Sequence, residues 1–183
     1  VSPPPNEATP GAGDPFALLG LPRRLALDPS AIRAAYRTRA AAVHPDRTAD
    51  PAERAELARR SAALGEAQRQ LLEPIRRAEA ILVALGAATG SAADPPPGEF
   101  LMEMLELREE LAAAGGGPAR AELRRGVAER IAEIRDRLAA TFETAESRPA
   151  AERAPLLRLA RNELAAWRYL DRLLVADGED VAP

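Results

Sequence analysis

Val43-His44-Pro45-Asp46-Arg47 is the stretch on which the fold turns. Proline has no amide hydrogen for a helix, and it biases the preceding residue away from the helical region. A helix that reaches Val43 therefore ends there. Upstream, Asp28-Pro29 opens a helix, with Asp as cap and Pro at the first helical position. That helix is predicted to run to about Val43. Ile32, Tyr36 and Val43 fall on one apolar stripe, while Arg33 and Arg37 share a solvent-facing side. Arg39 lies close to the apolar stripe and is expected to snorkel along it. Downstream, Asp50-Pro51-Ala52-Glu53 opens a second helix, with Glu53 placed for a capping box. His44-Pro45-Asp46 is thus a loop between two helices. It reads either as a docking tip for a partner protein or as a helix break that carries a histidine and an aspartate; the flanking helices favour docking.

Working outward, Asp14-Pro15 repeats the start signal for a short helix stopped by Gly20. Residues 1–13, rich in Pro, Gly and small side chains, are expected to be disordered. Past Asp50, Leu57, Leu64, Leu71, Ile75, Ala78, Leu82 and Leu85 keep helical spacing, and Pro74 is expected to kink or break the run. Residues 14–86 form one predicted domain. Residues 87–98, with Pro95-Pro96-Pro97, read as a stiff linker. Residues 99–178 hold three amphipathic patterns. The first spans about Glu99 to Ala113. The second carries Leu123, Val127, Ile131, Ile134, Leu138 and Phe142 on one side. The third aligns Leu156, Leu164, Trp167, Leu170 and Leu174. Three such helices with short connections predict an antiparallel bundle. Nothing reads as a strand, so the fold class is all-α.

Composition narrows the function. Aromatics are 3% of the 183 residues, and the formal charge is −3 from 25 basic and 28 acidic side chains, so nucleic-acid binding is not expected. All basic residues are Arg. With no Cys and one His, thiolate catalysis and Cys- or His-rich metal sites are excluded, and no cofactor is implied. No apolar run is long enough to span a membrane, and no secretory signal is visible, so a cytoplasmic location is expected.

The helix at Phe100 has more apolar surface than one bundle needs. Phe100, Met104, Leu107 and Leu111 form a stripe sufficient to pack it. Leu101, Met102 and Leu105 lie on another side, beside Glu106 and Glu109. An apolar patch edged by carboxylates suggests a protein-binding surface; the alternative is that these three side chains pack against the first domain. Tyr169, turned from the core stripe of the last helix, is a candidate to join this surface.

Residues 14–86 resemble a J-domain, with His44-Pro45-Asp46 as the family's signature tripeptide. From Asp94 onward the chain is similar to the C-terminal bundle of the iron–sulfur co-chaperone family HscB. The carriers are Phe100-Leu101-Met102-Glu103-Met104-Leu105-Glu106-Leu107-Arg108-Glu109-Glu110-Leu111 and Arg168-Tyr169-Leu170-Asp171-Arg172-Leu173. Pro74-Ile75-Arg76-Arg77-Ala78-Glu79-Ala80-Ile81-Leu82 looks like the family's bridge between domains. The resemblance implies that His44, Pro45, Asp46 and Arg47, with the basic face of Arg33 and Arg37, dock on a DnaK-class chaperone, HscA, and trigger its ATPase. It implies that Leu101, Met102, Leu105, Glu106, Glu109 and Tyr169 bind the scaffold protein IscU. Arg39 stands where an apolar residue is usual, Ala42 where a cation is frequent, and Arg47 where Lys is common. The zinc-binding Cys set of some relatives is missing.

Rival readings are a generic J-domain co-chaperone with another client, a helical structural adaptor, and a hydrolase using His44 as base. The last lacks a Gly-rich nucleophile turn and a triad's other parts, so no enzyme is expected.

Overall fold

The computed structural model describes residues 13–44, 46, 48–87 and 98–179, with side chains described to residue 176. The expected disordered start and linker fall almost wholly outside this range, as do Pro45 and Arg47. Every helix or strand among the described residues is helical, so the fold is all-α. The chain divides into two compact units, Val1–Ala84 and Leu85–Pro183.

The first unit contains α1 (Pro15–Leu19), α2 (Pro29–Ala42), α3 (Pro51–Leu72) and α4 (Pro74–Ala84). Asp14, Asp28 and Asp50 cap α1, α2 and α3, accepting from the amides of Phe16, Ser30 and Ala52 at 2.9, 2.8 and 3.0 Å. Each is followed by Pro at the first helical position, where the missing amide hydrogen costs nothing. Asp14 also accepts two bonds from Arg23, at 3.0 and 2.7 Å, which secures the turn after α1. Glu73, forced extended by the proline after it (ψ 117°), separates α3 from α4. The break expected at Pro74 is therefore a complete interruption. Phe16 and Leu19 of α1, Ile32 of α2, Leu64, Ala67 and Leu71 of α3, and Ala78 and Ile81 of α4 are buried in the unit's core.

Two local expectations change. No capping-box bond from Glu53 to the Asp50 amide forms: that amide donates to Thr48 Oγ1 (3.2 Å), and the Thr48 hydroxyl donates to Glu53 (2.6 Å). The threonine hydroxyl stands between the two groups that would otherwise bond directly. Arg39 is exposed, and its guanidinium crosses to the end of α1, over Gly20. Gly20 closes α1 in the left-handed region (φ 61°), and a Cβ there would fall 1.9 Å from Arg39 Nη2. The left-handed backbone selects glycine, whereas the flexible guanidinium end of Arg39 could move aside for a Cβ.

Arg77 on α4 is the one buried charged side chain among the described residues. Its Nε donates to the Leu71 carbonyl at 2.6 Å and its Nη1 to the Leu25 carbonyl at 2.6 Å, with Leu27 at 3.4 Å. It thereby ties the α1–α2 connection, the end of α3 and α4 together. A buried guanidinium is tolerated where its donors find acceptors in this way.

The second unit contains α5 (Gly98–Ala113), α6 (Pro118–Ser147), a 3₁₀ turn (Ala150–Glu152) and α7 (Ala154–Glu179). Gly115 and Gly117 have φ of 58° and 116°, the backbone a reversal between α5 and α6 requires. α6 and α7 run antiparallel: Arg124 donates to the Leu174 carbonyl (3.1 Å), Arg135 lies over the Trp167 ring (5.6 Å), and Arg137 makes a two-point bond to Glu163 (2.9 and 3.0 Å). Val127, Ile131, Ile134, Leu138 and Phe142 of α6 face inward as their spacing predicts. On α7 the inward residue at the start is Leu157, with Ala160; Leu156 is half-buried.

Candidate functional site

The end of α2 delivers the chain into the tripeptide. Val43 closes the helix with its amide bonded to the Ala40 carbonyl at 3.2 Å. His44 and Asp46 follow with side chains 59% and 85% exposed. The Asp46 amide donates to His44 Nδ1 at 3.3 Å. The Asp46 carboxylate lies 3.5 Å from the same Nδ1. Arg33 and Arg37 are both exposed on α2, as expected from their spacing. This corner therefore offers an imidazole, a carboxylate and guanidinium groups from the preceding helix to solvent.

The second candidate surface lies on α5. Met104 is fully buried and Leu111 nearly so, while Phe100 and Leu107 are half-buried. One turn around the helix, Leu101, Met102 and Leu105 are 49%, 58% and 47% exposed. Glu106 and Glu109 are exposed on the same helix. Half-buried Tyr169 of α7 meets the ring of Phe100 edge-on, centroids 6.1 Å apart and planes at 75°. Phe100 is thus a bridge from the packed stripe to the outer surface, a role its place in the stripe did not reveal. Glu103 makes a two-point ion pair with Arg130 of α6, its second bond 2.7 Å long, and this pins α5 to the bundle. The bond from Arg130 holds the Glu103 carboxyl below the usual glutamate range, and Glu103 raises Arg130 in turn. Glu103 was unmarked in the sequence because its partner lies on another helix.

Among the described residues no group of three or more His, Cys, Asp or Glu is placed to hold a metal ion. No described helix is long and apolar enough to cross a membrane.

A helical unit followed by a second helical unit defines the class. Residues 96–176 match the family described as the HSCB C-terminal oligomerisation domain. The chain is 44% identical over 114 residues to a co-chaperone protein HscB homolog of Bordetella pertussis, the match covering 59% of this chain and 65% of the relative. It is 40% identical over 104 residues to another HscB homolog, from Ralstonia nicotianae, covering 54% and 58%. These matches span less than two thirds of the relatives' own length. The structure aligns with the chaperone HscB from Vibrio cholerae at a TM-score of 0.71 and 24% identity, covering 91% of this chain and 96% of that one. Human co-chaperone protein HscB aligns at a TM-score of 0.75 and 22% identity, covering 96% and 84%. At these identities the two structures speak for the fold, which is that of HscB.

Proposed function

We propose that this protein is a co-chaperone of iron–sulfur cluster assembly with two binding surfaces. The first unit, as a J-domain, docks on the DnaK-class chaperone HscA through His44, Pro45, Asp46 and Arg47, steered by Arg33 and Arg37, and stimulates its ATPase. The second unit binds the scaffold IscU through Leu101, Met102, Leu105, Glu106, Glu109 and Tyr169. The cluster is cargo held by the scaffold's own ligands, since this chain supplies no thiolate. The observation that carries the reading is the division of α5: one side sealed at Met104 and Leu111, the other leaving three large apolar side chains about half exposed beside two carboxylates. Soluble proteins rarely leave such a patch without a partner. The exposed imidazole and carboxylate at the end of α2 in the first unit fit a surface that is read by another protein, and the relatives named co-chaperone support the same role.

The test is a steady-state ATPase titration of purified HscA with this chain, with and without IscU. Stimulation should rise further when IscU is present. His44→Gln should abolish stimulation while helical content and IscU binding stay unchanged. Unaltered stimulation by this variant would remove the docking role of the tripeptide.

The same apolar strip supports a second reading, self-association, in keeping with the matched family's description as an oligomerisation domain. Light scattering separates the two: a strip used for self-association gives a mass that falls on dilution and on Leu105→Asp substitution.

A further inference from the structure

One side chain holds the chain where it leaves the tripeptide. Thr48 Oγ1 accepts from the Asp50 amide at 3.2 Å and donates to Glu53 Oε2 at 2.6 Å, while the Thr48 carbonyl accepts from Arg54 Nη2 at 3.1 Å. Three bonds thus converge on a residue two positions past Asp46. The cap of α3 is supplied separately, by Asp50 to the Ala52 amide. The helix is further secured by Leu64, Ala67 and Leu71 in the core. The Thr48 hydroxyl is therefore spare as a helix cap, and what it fixes is the exit of the loop. The entry is fixed by the end of α2, where the Val43 amide bonds to Ala40.

We propose that Thr48 is a positioning residue for chaperone stimulation. It holds the loop exit so that His44 and Asp46 are presented in the arrangement the chaperone binds, without itself touching the chaperone. The inference rests on the docking function proposed above. An exposed loop tied at one end samples more conformations than one tied at both. When only a fraction of chains is competent to bind, the apparent affinity falls by that fraction, while the response at saturation is unchanged. A positioning residue therefore acts on half-saturation and leaves the plateau alone.

The experiment uses the full chain and the ATPase of purified HscA. Thr48→Val keeps the shape and removes the hydroxyl; the half-saturating concentration should rise about three- to tenfold at an unchanged plateau, the range expected when one or two net hydrogen bonds are lost. Thr48→Ser should restore the wild-type curve. Glu53→Gln retains an acceptor and should stay near wild type, whereas Glu53→Ala should shift as Thr48→Val does. Ala62→Gly, at an exposed position of α3, weakens the helix without touching the loop. It should leave half-saturation unchanged. A wild-type half-saturation for Thr48→Val, or an equal shift for Ala62→Gly, overturns the positioning role while the docking function stands. A wild-type chain that gives no stimulation at all overturns the docking function, and this inference with it.

Discussion

Replacing Leu101 and Leu105 together by alanine should weaken scaffold binding and spare the fold. The size of the effect follows from what each side chain still exposes. Full burial of a leucine side chain is worth about 1.5–3 kcal/mol. Leu101 and Leu105 already hide about half their surface in the free protein, being 49% and 47% exposed. Each therefore has about 0.7–1.5 kcal/mol left to gain on docking, and the pair about 1.5–3 kcal/mol, which is roughly a ten- to hundredfold rise in Kd. Alanine is a good helix former, so the substitutions do not strain α5. The contrast is Met104→Ala on the sealed side of the same helix, where emptying a core site costs about 2–5 kcal/mol of folding stability. Isothermal titration with IscU measures the first effect, and thermal melting by circular dichroism measures the second. A double variant that melts like Met104→Ala would show that the two leucines belong to the core. A double variant that binds IscU at wild-type strength would remove the strip from the binding surface.

Three further outcomes are expected. Arg33→Glu with Arg37→Glu should raise the half-saturating concentration in the chaperone ATPase assay, and rising salt should weaken the wild type toward that variant, because exposed charges act mainly by steering over about a Debye length of 8–10 Å; equal salt dependence in both would refute the steering role. Arg77→Met should destabilise the first unit by about 2–5 kcal/mol in urea melts, since the carbonyls of Leu71 and Leu25 lose a charged donor inside the core, and a loss below about 1 kcal/mol would contradict this account. Glu103→Gln should lower the melting temperature near neutral pH and match the wild type in acid. Its folded-state pKa is depressed, so its contribution is present above the ordinary glutamate value of about 4.3 and is lost as pH falls through the folded value. The side chain is half exposed, so screening limits the effect to about 0–1 kcal/mol.

Features encoded by neighbouring residues were legible in the sequence. Three Asp-Pro pairs start α1, α2 and α3, and the pre-proline Glu73 ends α3, because capping and steric restriction act within a few residues. The sealed and open sides of α5 were legible for a similar reason, since helical phase assigns them. What was not legible depends on groups that meet only after folding. Glu53 has the spacing of a capping box, yet Thr48 intercepts the bond. Leu156 has the right period, yet Leu157 is the buried residue at the start of α7 and Leu156 is half-buried. Arg39 crosses to Gly20, and Glu103 pairs with Arg130, through contacts between helices that no local pattern signals. Arg77 reads as one more cation on an Arg-rich helix, although it is the buried one.

That last residue sets a lower limit on how small a folded first unit cut from this chain can be. A fragment ending at Glu73 would retain the hairpin and its tip, but the oxygens of Leu25 and Leu71 would face a vacancy where α4 used to supply their donor. Anyone trimming the molecule to its tip must keep the sequence through Ala84, because the anchor for residue 25 is not encoded until residue 77.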